Sequence, residues 1–442
     1  MESNYVLFYD ISIATLWLVI FLVIANSRAR KVDATIRKYY LRNVFFKFFF
    51  AIAFAVVYLI YYGGGDTTAY WDGAITLNKL FIESPSFYFE NLMSEPSSEI
   101  FSKHFSVETG YPPGWLFKEP EAWFICKVAS IVSFITFKSY FAGTIFFAFL
   151  TAMASWRVFE LIVKLGTHKT NIAALCILFV PSVSFWCTGI SKDSLVFISI
   201  LNLLYFVFNI MVLRNAIKLK HVLIILLSIF LIYHVRSFIL AAIAAPIFMS
   251  FGARLTKRYE KQFLTKLLFR SFIFLGGIFL FVQFFSSSFS AEMVAEAELV
   301  QSDFTENETY TGKRYEISNT DASPAGLIRA VPESVFYGIY KPFIYESLSP
   351  TLIINGIESF VLMILTLKFF ISRDLFLKIK NIRKEEILVF SLIFAFFIAF
   401  MSGFTSVLFG VLVRIRAPLL PFFFLVLTAN AVLIGKKAKI EK

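Results

Sequence analysis

VFFKFFFAIAFAVVYLIYYGGGDTTAYWDGA, residues 44–74, decides the fold class. Its first part, 44–62, is apolar and aromatic over about the 20 residues that a helix needs to cross a bilayer. Three glycines then end the run. An aspartate, a Tyr-Trp pair and a second aspartate follow within ten residues of the last apolar position. A membrane helix that opens directly into an acidic, aromatic turn is the pattern from which the rest of the chain is read.

The composition extends that pattern to the whole chain. Of 442 residues, 58% are hydrophobic and 16% charged, with a mean hydropathy of +0.74. Soluble domains run at about 45–50% apolar and about 25% charged. The 57 phenylalanines exceed what a soluble core can hide without large exposed apolar patches. Disordered, secreted and cytosolic-enzyme classes are therefore excluded as the main reading. Spans are expected near 5–25, 44–62, 139–163, 171–187, 194–213, 268–285, 351–371, 386–402 and 418–434. The stretch 221–253 reads as two short helices broken at His234-Val235-Arg236. The expectation is an all-α polytopic membrane protein with eleven spans, built as a single transmembrane domain over 1–442.

Lys and Arg in short loops set orientation. The stretches Arg28–Arg42, Lys164–Lys169, Arg214–Lys220, Arg254–Lys266, Arg373–Lys384 and the tail KKAKIEK are basic. They alternate with the remaining connections if the N-terminus is outside and the C-terminus cytoplasmic, in a bacterial inner membrane. Two outer loops result, 63–138 and 286–349. Their segments 63–121 and 286–333 each carry nine acidic and three basic residues. Residues 122–136 are apolar but short and contain Lys127. A crossing there would put the basic loops outside, so an interfacial or re-entrant helix at the outer headgroup level is expected. The net charge of +12, 42 Lys+Arg against 30 Asp+Glu, reflects cytoplasmic loops facing anionic headgroups and not nucleic acid. The start MESNYVLFYD lacks the basic opening of a signal peptide, so the first apolar stretch is expected to remain as a helix. Cys126, Cys176 and Cys187 have neither the spacing nor the surroundings of a disulfide framework or metal-thiolate site.

Outside the inner loops, the unusual polar residues fall at the outer face. Asp66 and Asp72 lie in GGGDTTAYWDGA, Glu119 and Glu121 in FKEPEAW, and Lys192 and Asp193 in PSVSFWCTGISKDS. His234 and Arg236 mark the helical break. Arg329 lies in GLIRAVP, Lys341 and Glu346 in YKPFIYE, and Arg414 and Arg416 in VRIRAPLLPF. Ionisable residues at membrane depth are costly and mark pathways or sites. Asp66, after a glycine turn, suits a general base or a metal ligand; equally, the turn ends one helix and caps the next at Thr67. Tyr70 and Trp71 suit the apolar faces of a sugar. Lys192 suits a phosphate, or pairs with Asp193. Arg236 suits the same anion, or a salt bridge to Asp66, Glu119 or Asp193. Arg414 and Arg416 together suit a pyrophosphate by bidentate contacts, or snorkel at the interface. Lys341 and Glu346 are placed to pair with each other. No histidine pair has metal-ligand spacing, and a divalent ion at Asp66 and Asp72 stays an open alternative.

Taken in order, GGGDTTAYWDGA (63–74), EPEAWFICKVAS (119–130), PSVSFWCTGISKDS (181–194), YKPFIYE (340–346) and VRIRAPLLPF (413–422) resemble the motifs of bacterial membrane glycosyltransferases of the C type and of EpsG/Wzy-like polysaccharide polymerases. The resemblance covers roughly residues 60–425. It implies a polyprenyl-phosphate- or polyprenyl-diphosphate-linked sugar donor and a glycan or lipid acceptor, with transfer at the periplasmic face. It makes Asp66 the catalytic carboxylate and Asp72 its neighbour. Tyr70, Trp71, Glu119, Lys192, His234, Arg236, Lys341, Arg414 and Arg416 would then contact substrate. The chain departs from many C-type enzymes in having no large soluble C-terminal domain. A transporter or flippase of a lipid-linked or anionic solute is the rival reading, with the break at His234–Arg236 as its support. A non-catalytic scaffold in an envelope assembly is the third.

Overall fold

The computed structural model describes residues 7–258, 324–347, 349–406 and 408–429, with isolated positions between 262 and 315. Among the described residues the fold is all-helical, with one isolated bridge between Arg314 and Leu408. Eight helices are long and apolar enough to cross a membrane: Phe8–Ala29, Arg37–Tyr61, Tyr140–Leu165, Lys192–Met211, Leu219–Arg236, Pro350–Ile371, Glu386–Thr405 and Phe409–Leu427. The chain is a multi-pass membrane protein in contact with lipid.

Three of the eleven expected spans fall outside this set. The stretch 171–187 is two short helices, α8 (Thr170–Leu178) and α9 (Pro181–Trp186). Pro181 disfavours helical backbone at Val180, so the run breaks there despite its unbroken apolarity. The second half of 221–253 belongs to one helix, Phe238–Arg258, whose described apolar part is Phe238–Ser250. The stretch 268–285 lies outside the described residues apart from Leu268, Ser271, Phe272 and Gly276. Most of 286–349 up to residue 323 does too. The first half of 221–253 is longer than expected, a full-length helix whose end falls at Arg236.

Contacts group the chain into two compact units, Met1–Leu161 with Val183–Ser237, and Ile162–Ser182 with Phe238–Lys442. The first contains α1 (Phe8–Ala29), α2 (Arg37–Val56, extended by a wider turn to Tyr61), α3 (Asp66–Glu83), α4 (Pro85–Met93), α5 (Ser98–His104) and α6 (Pro120–Ile135). It also holds most of α7 (Tyr140–Leu165), and α10 (Lys192–Met211) and α11 (Leu219–Arg236). Helix α2 shows how such a sequence sorts itself. Val44, Phe48, Ala51 and Ala55, at helical spacing, are buried, while Phe45 and Phe49 stay 55% and 67% exposed and face where lipid would lie.

Hydrogen bonds fix which ends of these helices meet. Ser139 Oγ donates to the Asp10 carbonyl (3.2 Å) and Tyr9 OH to the Phe137 carbonyl (2.9 Å), so α1 and α7 begin at one end. Thr67 Oγ1 lies 3.1 Å from Tyr140 OH, which brings the start of α3 there as well. Residues 62–139 thus leave and rejoin the bundle at the same end. Within them α3 lies along α6: Asn78 Nδ2 donates to Ser133 Oγ, and Gly73 sits so close to Cys126 Sγ that a Cβ would approach it to 2.8 Å.

The second unit contains α8 (Thr170–Leu178), α12 (Phe238–Arg258), α13 (Pro324–Tyr340), α14 (Pro350–Ile371), α15 (Leu375–Ile382), α16 (Glu386–Thr405), α17 (Phe409–Arg416) and α18 (Leu420–Leu427). Helices α13 and α16 touch backbone to backbone. Gly338 backs onto the Ala399 carbonyl and Gly403 onto the Ser334 carbonyl, where no side chain fits. Small residues at a helix crossing are how membrane helices gain close dispersion contact without a hydrophobic driving force.

Candidate functional site

The glycine turn after α2 has a backbone reason for its composition. Gly63, Gly64 and Gly65 have φ of 66°, 133° and 139°, a region L-side chains rarely adopt. Gly64 N–H donates to the Tyr58 carbonyl (2.8 Å), and a Cβ on Gly65 would meet the Tyr58 ring at 3.0 Å. Helix α3 then starts at Asp66, one residue earlier than expected. Thr68 closes the start, its Oγ1 accepting from Gly65 N–H (3.0 Å) and donating to the Gly65 carbonyl (2.8 Å). Asp66 is half-buried in the first turn, where its negative charge meets the positive end of the helix dipole.

Helical geometry separates the residues that the sequence places side by side. Thr67, Tyr70, Trp71, Ala74, Leu77 and Asn78 form the buried face of α3. Tyr70 and Trp71 are each 1% exposed, so their rings offer no face to a sugar. Trp71 packs edge-on to Tyr140 (6.1 Å) and against Gly143, while Tyr70 packs towards Trp115 (6.2 Å). The expectation of a stacking platform is corrected: the pair is core because it lies on the stripe α3 turns towards the unit. Asp72 is exposed. Six residues of helix put it about 9 Å along the axis from Asp66 and about 120° around it, too far for one ion to take both carboxylates. Among the described residues no three His, Cys, Asp or Glu side chains gather as a metal site.

At the same end, the consecutive residues Lys192 and Asp193 take different partners. Ser191 caps α10, its Oγ accepting from Ser194 N–H (3.1 Å), and this sets the first turn. Lys192 Nζ pairs with Glu119 Oε2 at 3.1 Å, and the Glu119 carboxyl is half exposed. Asp193, 2% exposed, receives Arg236 Nη2 at 2.7 Å. Burial pushes the Cys126 thiol up, while Lys192 pulls it down and Asp72 raises it, which places both charges within electrostatic reach of that thiol. Asp72, Glu119, Lys192, Asp193 and Arg236 thus come from α3, the turn before α6, α10 and α11 to one neighbourhood. His234 serves the same seam differently. Its ring stacks on Phe124 of α6 (5.0 Å, 23°), and its Nδ1 lies 3.0 Å from the Phe230 carbonyl.

Lys127, which made 122–136 awkward as a span, reaches out of α6 to the end of α4. Its Nζ donates to the carbonyls of Ser94 (2.7 Å) and Leu92 (3.4 Å), and burial pushes the ammonium down to about 8.

In the second unit, Lys341 and Glu346 pair at 3.0 Å. The ammonium also sits 4.6 Å from the Tyr337 ring and 5.5–5.8 Å from those of Phe409, Phe343 and Tyr315. Arg414 and Arg416 do not form a clamp. Two residues on a helix point to nearly opposite sides: Arg414 is half-buried and Arg416 fully buried. Arg416 donates to the carbonyls of Ile339, Lys341 and Asn355 and to Ser359 Oγ. Its Nη1 and Nη2 groups are used inside the protein, and the expected phosphate contact is corrected to a tie between α13, α14 and α17. Arg329 is exposed.

Two intramembrane charges carry no role in the sequence reading. Lys47, fully buried in α2, donates to Ser184 Oγ at 2.6 Å. Glu358, 7% exposed in α14, accepts from Ser182 N–H (2.9 Å) and Ser182 Oγ. Each is a single charge within an apolar run, which is the sequence signal of an intramembrane ionisable residue. No protein family, curated protein or solved structure matches the chain.

Proposed function

We propose that the protein is a glycosyltransferase or polysaccharide polymerase of a bacterial inner membrane. It would take a polyprenyl-(di)phosphate-linked sugar and transfer it to a glycan or lipid acceptor at the face bearing the start of α1, taken as the periplasmic side. The observation that carries the reading is the meeting of Asp72, Glu119, Lys192 and the Asp193–Arg236 pair at the end of the first unit where α3 begins with Asp66. Transfer from a lipid phosphate needs cations where charge develops on the leaving group and a carboxylate for the acceptor proton. Asp66 takes the acceptor hydroxyl proton as the acceptor oxygen bonds to the anomeric carbon. The bond from that carbon to the phosphate oxygen breaks, and the phosphate leaves with the electron pair and the negative charge. One base suffices for this inverting displacement. Lys192, held by a half-exposed carboxylate, is the cation that can turn to the phosphate, while Arg236 stays paired with Asp193 and ties α11 to the start of α10.

A transfer assay in nanodiscs with a polyprenyl-linked sugar pool tests the reading. Wild-type protein forms product and Asp66→Asn does not, at equal amounts of folded protein. Full activity in Asp66→Asn removes Asp66 as the base. The rival transporter draws on different residues: the helix break at 179–180 and the buried Lys47 and Glu358 resemble the interrupted helices and intramembrane charges of carriers. Substrate movement into liposomes without product would decide for it.

A further inference from the structure

Residues 372–385 join two membrane spans, α14 and α16, and their middle is the short helix α15. One side of α15 is anchored. Asn381 and Ile382 are buried, and Lys378 Nζ donates to Ser372 Oγ (2.9 Å) while lying 5.5 Å from the Phe369 ring. The other side follows helical spacing through Phe376, Ile379, Lys380 and Arg383, all exposed. Phe376 is 86% exposed and the preceding Ile371 79%. Arg373 and Lys384 flank the helix, also exposed. Asp374 is the one exposed acid of this stretch, since Glu385 is buried.

Aromatic and aliphatic side chains share this face with cations. Water satisfies the cations but not Phe376. A soluble polyanion matches the charges and leaves the ring stranded. Because a span ends at Ile371 and another begins at Glu386, the face stays within reach of the headgroup layer, where rings enter the acyl boundary and cations meet phosphates. We propose that α15 is an interfacial helix whose outer face binds acidic phospholipid of the leaflet it lies on. This inference concerns the second unit alone and does not depend on the transferase reading.

The test uses full-length protein with Phe376→Cys labelled with bimane; the three native cysteines are buried and do not compete. It is reconstituted in phosphatidylcholine vesicles with or without phosphatidylglycerol. The label is expected to show blue-shifted emission, quenched by acyl-chain spin labels, with both effects larger in the acidic vesicles and reduced by salt. A water-like emission in both compositions overturns the proposal. In the unlabelled protein, Lys380→Gln, Arg383→Gln and Lys384→Gln together should lower retained phosphatidylglycerol after detergent purification, by about fivefold per cation removed. Unchanged retention overturns the charge assignment. Soluble glycerol phosphate should leave the label's response intact; if it abolishes the response, the ligand is a free phosphate and not the lipid.

Discussion

Arg236 reaches the buried carboxylate of Asp193 at 2.7 Å, while the neighbouring Lys192 turns the other way to the half-exposed Glu119. Both contacts start from α10, one reaching α11 and the other the turn before α6, and they differ in worth. Breaking a buried pair leaves one charge without its partner in a poor solvent and costs about 3–5 kcal/mol. An exposed pair contributes about 1 kcal/mol or less. Asp193→Ala should therefore lower thermal stability in detergent severely, and Arg236→Met nearly as much, with the double variant partly recovered. Glu119→Gln should leave the melting temperature almost unchanged. Equal losses for both pairs would show that burial does not rank them.

Lys192 separates stability from function. Because its pair is weak, Lys192→Gln should fold normally. If Lys192 contacts a phosphate, losing that charged hydrogen bond removes about 1.5–3 kcal/mol of transition-state stabilisation, a fall of about ten- to a hundredfold in kcat/KM for a lipid-linked donor. An unchanged rate would make Lys192 a partner of Glu119 and nothing more.

The sequence made the spans around α1, α2, α7, α10, α14 and α16 readable, because long apolar runs have one physical outcome in a bilayer. The final span was legible too, though it begins at Phe409, where the charges of Arg414 and Arg416 had obscured it. The break at Pro181 was a local backbone rule hidden inside a run whose apolarity argued the opposite. Tyr70 and Trp71 were misjudged because 63–121 was read as a loop, in which neighbours share surroundings. On the helix α3 they lie on the inward stripe and Asp72 lies off it. The pairings of Lys192 and Arg236 depend on which helices pack together, which no spacing within one segment encodes.

Acid should loosen the α4–α5 region. His104 is buried, stacked 4.3 Å from the Phe87 ring, and its Nδ1 accepts from Asn91 Nδ2 (2.8 Å). That bond assigns the ring proton to Nε2, 3.2 Å from Glu90 Oε2. Burial holds the imidazole below its usual value, Glu90 opposes this and Lys103 reinforces it. The unfolded chain then binds the proton more readily than the folded one. Stability is full above the unfolded value of about 6.5 and declines as pH falls through it towards the folded value. Protection factors over residues 85–104, which divide out the intrinsic slowing of amide exchange in acid, should fall from pH 7.5 to pH 5, and His104→Gln should flatten that fall. Protection that is equally pH-dependent in the variant would assign the effect to another group.

Arg414 and Arg416 should behave as opposites. Arg416 is fully buried, with its guanidinium on three carbonyls and a hydroxyl from α13 to α14. Arg416→Met removes every one of those donors; Asn355, inside α14, keeps its helical bond, but the Ile339 and Lys341 carbonyls at the end of α13 lose theirs, at about 1–3 kcal/mol for each buried group left unmatched. The variant should accumulate poorly or melt well below wild type. Arg416→Lys should not restore it, because a single ammonium cannot span the positions that the planar fork reaches. Arg414, half-buried on the other side of α17, should tolerate Ala with little loss of stability. A stable, active Arg416→Met protein would overturn the view of Arg416 as an internal tie, and a loss of stability in Arg414→Ala as large as in Arg416→Met would overturn the contrast between them.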